Sequence, residues 1–414
     1  MNRQTTPNMI DVPEAQRLVL HAVRPGPIVE VPLGEALFRT LAEPVASDLD
    51  QPPFDRSLMD GYAVRAVDVA KPPASLRLVG QIAAGTVADH PVGSGEAMQI
   101  NTGAPIPQGA DAVVRVEDTE PRDDGRVVLI RAKVDVGTAI TRRGSYARGG
   151  QVVLEKGMRL TPLEIAAAAS AGAARLRVYR QPTVATLVTG DELVDVNEKP
   201  KGGQIRNSNG YLLESLVRAH HASPVSLGVV RDDRKSIESK IQDGSRADFL
   251  CITGGVSMGA FDFVPEVLAG LGATVHFQKM VIKPGRPILF ATLPSACHVF
   301  ALPGNPISAF VGFHLLVRLA LKAFEGRNVE PTAMLRAALV GSMKANEKRR
   351  SFWPGRAQVT ADGTIEVTPL AWQGSGDPFG MASANVLIMR PPMAGEATSG
   401  AAVQVLPLDS GIAG

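Results

Sequence analysis

A run of glycine and serine residues in the middle of the chain has the composition of a binding loop. The segment "CITGGVSMGAFD", residues 251–262, follows apolar residues and contains Gly254, Gly255, Ser257 and Gly259. Such a loop after a strand leaves backbone N–H groups unhindered, and the positive end of the next helix favours an anion. The segment lacks the Lys and Ser or Thr of a P-loop, so a tight strand-to-helix turn is an equally good interpretation.

Acidic and basic side chains follow several other predicted strands. Two pairs of acids come after strands, a basic segment surrounds a Pro-Gly turn, and "ALPGNP" precedes a helix. Because carboxylates hold Mg²⁺ and Lys and Arg bind oxyanions, their convergence predicts a site for a phosphate-bearing ligand and Mg²⁺. Each acid alone is better explained as a helix cap or first-turn charge, but four such strand ends in one domain favour a site. The residues are Asp191, Glu192, Asp232, Asp233, Lys279, Lys283, Arg286 and Asn305.

Alternating strand and helix patterns over residues 182–328 position these side chains. The strands, such as "TVATLVTG" and "DFLCITGG", are continuously apolar rather than alternating. That pattern is typical of a parallel sheet covered on both faces, so we predict a doubly wound α/β domain. Ligands of such domains bind at the carboxyl ends of the strands, where the glycine loop is placed.

Strand and turn patterns flank the α/β domain on both sides. Residues 1–181 are predicted to contain linker helices and an inserted β-rich lobe at about 45–150, and residues 329–414 a C-terminal β-barrel. The apolar spacing within residues 33–41 predicts one helix. Thr161 followed by proline predicts the start of another.

Composition limits the classes of function. The 414 residues carry a net charge of +2, so the chain as a whole is not a nucleic-acid binder. Cys251 and Cys297 lie in apolar runs without Cys-x-x-Cys spacing, which indicates buried, reduced thiols and no zinc site. The first residues show no apolar core of a signal peptide, and polar residues interrupt the most apolar stretch, so we expect no membrane span and a cytoplasmic location.

Six motifs in a fixed order carry a resemblance to a known family. They are "FDRSLMDGYAV", "INTGAPIPQGADAVV", "TGDEL", "GGVSMGAFD", "KPGRP" and "LPGNPISAF". Together they resemble the molybdopterin molybdenumtransferase (MoeA) family, which includes the C-terminal part of gephyrin. The similarity extends from Val12 to Leu408, nearly the whole chain.

The resemblance implies insertion of molybdate into adenylylated molybdopterin, with release of AMP and dependence on Mg²⁺. It implies a homodimer, with a site between the α/β domain of one subunit and the β-rich lobe of the other. Asp60 and Thr102 are expected from the lobe, and Glu192 and Asp262 from the α/β domain, with Asp60, Asp262 and Asp233 as metal ligands. The upstream adenylyltransferase and a molybdoenzyme are the protein partners to expect.

The loop from Gly254 to Gly259 is expected to hold a phosphate of the pterin nucleotide. Lys279, Lys283 and Arg286 are expected to bind molybdate and phosphate, with Asn305 nearby as a further substrate contact.

Several positions depart from the family pattern. Ser145 and Tyr146 stand where two acids are usual, Phe379 and Gly380 where serines are usual, and Arg286 where a lysine is usual. These changes leave open a non-catalytic paralogue that binds or delivers the pterin cofactor. A nucleotide hydrolase or adenylyltransferase built on the same α/β domain is a third, weaker alternative.

Overall fold

The computed structural model describes residues 9–256, 263–329 and 334–408. The chain forms two compact units, which we call the β-rich unit and the α/β–barrel unit. The β-rich unit consists of Glu30–Leu37 and Leu41–Val178. The α/β–barrel unit consists of Met1–Val29, Phe38–Thr40 and Tyr179–Gly414.

The β-rich unit is built on a six-stranded sheet, which confirms the predicted β-rich N-terminal lobe. Its strands, in spatial order, are Ala112–Arg115, Gly61–Val64, Glu96–Ile100, Ala74–Ile82, Val127–Ile130 and Thr119–Arg122. Two short antiparallel pairs add Arg56–Ser57 with Ile140–Thr141 and Val45–Ala46 with Val152–Leu154. Buried Tyr62, Val64, Val114 and Ile130 fill one side of the sheet.

The two helices predicted in the N-terminal part have different outcomes. Helix Pro162–Ser170 begins at Thr161 as predicted, and Glu164 accepts a hydrogen bond from the Thr161 N–H at 2.8 Å. The helix predicted within residues 33–41 is wrong. That segment holds only a 3₁₀ turn, Leu33–Glu35, after the strand Ile28–Pro32.

Backbone geometry explains the missing helix. Phe38 has a φ of +64°, which a right-handed helix cannot include. Ala36 and Leu41 are buried, so the apolar spacing that suggested a helix is satisfied by packing of an irregular segment instead.

The α/β domain contains one six-stranded sheet. We number its strands in chain order, and their spatial order is β2-β1-β3-β6-β5-β4. They are β1 (Thr183–Thr189), β2 (Ser223–Val230), β3 (Phe249–Thr253), β4 (Thr274–Phe277), β5 (Leu289–Thr292) and β6 (His298–Leu302). A separate parallel pair joins Leu193–Val194 to Ile205–Arg206.

The sheet confirms the doubly wound α/β domain but is not wholly parallel. Strands β2, β1, β3 and β6 are parallel, whereas β5 runs antiparallel to both β6 and β4. The connection between β5 and β6, residues 293–297, is too short for a crossover helix, so the two strands form a hairpin.

Both faces of this sheet are buried. In β3, Phe249 and Cys251 belong to the core on one face, and Leu250 and Ile252 to the core on the other. Burial raises the pKa of the Cys251 thiol, and both Cys251 and Cys297 are free, as predicted. The helices of this unit are Val12–Ala22, Asn209–Ala219, Arg234–Gly244, Val264–Gly270, Pro306–Gly312 and Arg318–Phe324, the last two joined by a π-helical turn, Phe313–Val317.

The helical segment Pro306–Phe324 has the length and apolar composition of a membrane span. Of its most apolar window, 78% is buried inside the protein, as in the core helix of a water-soluble domain. No second helix among the described residues meets the same criteria.

The C-terminal part forms a closed β-barrel of five strands, as predicted. In order around the barrel they are Arg350–Val359, Ile365–Pro369, Leu335–Leu339, Ala402–Pro407 and Val386–Arg390, and the last pairs back with the first. Val367, Ile388 and Val405 fill its interior. A short strand from the α/β domain, Ile282–Lys283, pairs in parallel with Arg350–Val359 on the outside of this ring.

Candidate active site

Four parallel strand ends lie side by side at one edge of the α/β sheet. Backbone hydrogen bonds continue beyond the strands: the Gly190 N–H donates to the carbonyl of Val230 (3.3 Å), and the Gly254 N–H donates to that of Leu302 (3.3 Å). The polar residues that follow these strands therefore share one edge, where the fold places ligands.

The first two glycines of the loop after β3 are required by the backbone. Gly254 has a φ of +93° and Gly255 a φ of +61°. A Cβ on Gly254 would lie 2.4 Å from the carbonyl oxygen of Thr189. One on Gly255 would lie 3.1 Å from the Thr189 hydroxyl. The loop therefore packs directly against the end of β1. Ser257, Gly259 and Asp262, also predicted for this site, lie outside the described residues.

We expect Gly254→Ala to lower the free energy of unfolding by about 1–3 kcal/mol, because it combines a left-handed φ with a clash against β1. Gly304→Ala is the matched control, since a Cβ on Gly304 makes only an ordinary contact of 3.6 Å with Gly254. Urea unfolding of both variants measures the difference. Equal stability of the two variants would show that the loop does not pack against β1 as described.

Two adjacent aspartates after β2 have different environments. Asp233, predicted as a metal ligand, is the N-cap of helix Arg234–Gly244 and accepts a hydrogen bond from the Ser236 N–H at 2.9 Å. Hydrogen bonds from the Ser236 hydroxyl, and then from the Ser236 N–H, lower the pKa of Asp233. Its carboxylate is thus engaged in starting the helix.

Asp232, in contrast, faces the strand ends. Burial raises the pKa of Asp232, and the nearby charges of Asp191 and Glu192 raise it further, although the Thr189 hydroxyl opposes the shift. A carboxylate that resists ionisation beside two others is what a cation would stabilise. Asp232 is thus a further acid at this edge of the sheet, and the metal role of Asp233 stays a prediction.

We expect Asp232→Asn to raise the thermal midpoint at neutral pH. Because the folded-state pKa is raised, ionisation of Asp232 costs stability as pH rises above the unfolded-state value, and asparagine removes that cost. The gain should vanish in acid, where Asp232 is protonated in both states. Asp233→Ala should instead lose about 1 kcal/mol at neutral pH through the missing cap. Thermal unfolding across pH tests both, and a destabilised Asp232→Asn variant at pH 7 would contradict this interpretation.

A cleft of about 970 Å³ opens beside the glycine loop, between the α/β domain and the barrel. From the α/β domain it is lined by Gly254, Gly255, Lys283, Arg286 and Asn305, all predicted site residues. The barrel side was missed from the sequence. It contributes Asn346, Glu347, Arg349, Ser351, Trp353, Trp372 and Ser375.

Two contacts hold the walls of the cleft together. Lys283 pairs in register with Ser351 of the barrel. The Asn305 side chain donates to the Ser375 hydroxyl (2.8 Å), and the Ile307 N–H donates to the Ser375 carbonyl (3.1 Å). The Asn305 side chain thus links the start of helix Pro306–Gly312 to the "QGSG" segment.

The basic turn folds partly as predicted. The Met280 N–H donates to the Arg286 carbonyl (2.9 Å), so the chain returns on itself around Pro284-Gly285. Lys283 and Arg286 both line the cleft, whereas Lys279 is not among its lining residues. The role of Lys279 in anion binding therefore stays a prediction.

Positive charge dominates the cleft. Among the described residues that line it are Lys283, Arg286 and Arg349 and one acid, Glu347, whose carboxylate lies 3.7 Å from the Lys283 amine. Both partners of this pair are largely exposed, so it holds Lys283 only weakly. An oxyanion can therefore reach Lys283.

In the β-rich unit, Asp60 and Thr102 are brought together. One Asp60 oxygen accepts hydrogen bonds from the Thr102 N–H (2.8 Å) and, at longer range, the Asn101 amide (3.4 Å). This contact fixes the "INTG" turn beside the "LMDG" segment, so the two sequence motifs form one local structure.

Tyr146 is 62% exposed and pairs with Arg56. The Arg56 guanidinium donates to the Tyr146 hydroxyl (3.2 Å) and lies 5.4 Å from the ring centre. Arg56, and then Thr141, lower the pKa of this phenol. The loop that carries Tyr146 is anchored by Arg142 to Asp55 (2.6 Å).

Sequence comparison covers most of the chain with one family. Residues 10–172 match "MoeA N-terminal region (domain I and II)", residues 185–323 match "Probable molybdopterin binding domain", and residues 336–408 match "MoeA C-terminal region (domain IV)". A molybdopterin molybdenumtransferase from Bacillus subtilis (strain 168) is 36% identical over 406 residues, covering 96% of this chain and 94% of the relative.

The chain belongs to the MoeA family of molybdopterin molybdenumtransferases. A second member, from Staphylococcus aureus (strain Mu50 / ATCC 700699), is 35% identical over 393 residues, covering 93% of this chain and 92% of that protein. The crystal structure of the molybdopterin biosynthesis moeA protein from Pyrococcus horikoshii OT3 superposes with a TM-score of 0.81 at 29% identity, covering 97% of this chain and all of that one.

Membership of the MoeA family makes this chain an enzyme of molybdenum cofactor biosynthesis. The resemblance predicted from six motifs is thereby confirmed at the level of family and enzyme class. The match to a molybdopterin-binding domain covers the glycine loop, the acids after β1 and β2, and the basic turn.

Proposed function

We propose that this enzyme inserts molybdate into adenylylated molybdopterin and releases AMP, with the cleft of the α/β–barrel unit as the place of binding. The observation that carries the proposal is the meeting of Gly254, Gly255 and Asn305 with the cations Lys283, Arg286 and Arg349 in one cleft. A phosphate-bearing pterin and the molybdate dianion both need such positive charge.

The residues of the cleft act by binding and orientation. Gly254 and Gly255 line the cleft without a side chain, so their backbone accepts a phosphate without side-chain obstruction. Lys283, Arg286 and Arg349 stabilise the negative charge of phosphate and molybdate and hold them close to each other. Such positioning lowers the barrier for a reaction between two anions, because they would otherwise repel each other.

The strand-end acids fit Mg²⁺. Glu192 and Asp232 offer carboxylate oxygens, and a cation would stabilise the charged form of Asp232, whose pKa is raised by burial and then by the charges of Asp191 and Glu192. No group of three or more His, Cys, Asp or Glu side chains within the described ranges could hold a metal ion. The proposed Mg²⁺ would therefore need waters and substrate phosphates as ligands beside one or two carboxylates, and it would neutralise the phosphate charge.

The homodimer, and the supply of Asp60 and Thr102 by a second copy of the chain, stay predictions from the resemblance. The Asp60–Thr102 contact supports a shared role, because it presents both residues as one rigid turn. Asp262 likewise stays a predicted site residue.

The direct test measures AMP release from adenylylated molybdopterin with and without molybdate and Mg²⁺. We expect molybdate-dependent release by the wild type. Lys283→Ala should weaken molybdate binding by about 10- to 100-fold, which corresponds to about 1.5–3 kcal/mol for a hydrogen bond to a charged group.

Lys235→Ala, on the exposed face of helix Arg234–Gly244, is the matched control for loss of one positive charge. Equal losses of molybdate affinity in the Lys283→Ala and Lys235→Ala variants would contradict a specific role of Lys283. Pterin binding without any AMP release by the wild type would favour the non-catalytic delivery protein instead.

A further inference from the structure

The two tryptophans of the chain, Trp353 and Trp372, both line the cleft. Their ring centres are 5.6 Å apart and their planes are inclined by 79°, so they form an edge-to-face corner. Both side chains are only half-buried. Trp353 and Trp372 each pack on one side against the hydrophobic core, and their remaining surface is open to the cleft.

Hydrogen bonds fix the orientation of Trp353. Its indole N–H donates to the Ser351 hydroxyl (3.2 Å), which donates to the amide oxygen of Asn346 (2.9 Å). The Asn346 amide nitrogen donates in turn to the carbonyls of Arg349 (2.9 Å) and Arg390 (3.0 Å). The ring is thus held by a chain of contacts that begins next to the cleft cation Arg349.

Trp372 owes its position to Gly380. A Cβ on Gly380 would lie 2.8 Å from the Cβ of Trp372 and 2.7 Å from an Asp377 carboxylate oxygen. A serine at position 380 would therefore displace Trp372. Gly380, where the family resemblance predicts a serine, therefore leaves the space in which Trp372 lines the cleft.

The remainder of the cleft wall is cationic and backbone-rich. A ligand that fits both parts carries a flat ring and an anionic group. We propose that Trp353 and Trp372 bind the flat nitrogen heterocycle of the substrate, which stacks on the face of one indole and meets the other edge-on, while Lys283 and Arg349 bind its charged part. This inference rests on the proposed function. It specifies which residues contact the ring of the substrate, whether that ring is the adenine or the pterin.

Calorimetric titrations with three probe ligands distinguish the binding of the ring from the binding of the charged group. AMP carries adenine and phosphate, pterin-6-carboxylate carries a pterin ring and a carboxylate, and ribose 5-phosphate carries phosphate without a ring. We expect Trp353→Ala and Trp372→Ala to lower the affinity for AMP or for pterin-6-carboxylate, whichever ring binds at the tryptophans, by about 10-fold or more. This loss is within the range known for aromatic stacking on a base. Ribose 5-phosphate should bind to these variants as it does to the wild type.

Trp353→Phe and Trp372→Phe should retain most of the affinity, because phenylalanine keeps a stacking face. They also keep the test valid if an alanine variant fails to fold. Phe379→Ala is the matched control, since Phe379 is 88% exposed and does not line the cleft. Its affinity for every probe should be unchanged.

Tryptophan fluorescence gives a second readout, because no other tryptophan contributes to it. Saturation with AMP or with the pterin should quench or shift the emission, and ribose 5-phosphate should not.

Wild-type affinity in both alanine variants, or an equal loss for ribose 5-phosphate, would overturn the stacking role and show that the tryptophans only pack. These outcomes are distinguishable from failure of the proposed function, which is the absence of AMP release by the wild type.

Discussion

A short parallel strand pairing creates the cleft on which the functional account depends. After β4 the chain leaves the α/β sheet, and Ile282 and Lys283 pair with Arg350 and Ser351 of the barrel. Ile282 is fully buried, so hydrophobic packing anchors the pairing from one side while Lys283 faces outward from the other. Without this contact the basic turn would be a solvated loop. With it, Lys283 and Arg286 face residues of the barrel.

The site also contains features that oppose stability. The loop at Gly254 and Gly255 adopts left-handed backbone conformations against the end of β1, and Asp232 holds a carboxylate where burial disfavours its charge. Neither feature improves the packing of the α/β core. Both are understandable if the strand ends bind a ligand. The glycines would leave space for a phosphate, and the Asp232 carboxylate would supply negative charge for a cation.

Much of the α/β domain followed from the sequence, because continuously apolar strands alternating with capped helices have few other solutions. The glycine loop, Lys283, Arg286 and Asn305 were placed from strand ends alone. The capping role of Asp233 could have been predicted from the sequence, since the acid directly before "RKSIESK" occupies the N-cap position.

The barrel wall of the cleft could not be predicted, because it depends on a tertiary pairing between segments distant along the chain. The sequence "SFWPG" is typical of an ordinary strand. Only its pairing with the strand Ile282–Lys283 shows that Ser351 and Trp353 line a cleft. The failed helix within residues 33–41 has a similar cause. Apolar spacing reports burial, and tertiary packing there buries Ala36 and Leu41 without helical backbone.

The position of a bound oxyanion tests the account most directly. Crystals of the enzyme soaked with molybdate and measured at the molybdenum absorption edge locate the metal by anomalous scattering, independently of any assay. The account predicts a peak in the cleft within contact distance of the Lys283 amine, with Arg286 or Arg349 as a second ligand. Anomalous peaks found only outside this cleft, at molybdate concentrations that saturate binding in solution, would contradict it.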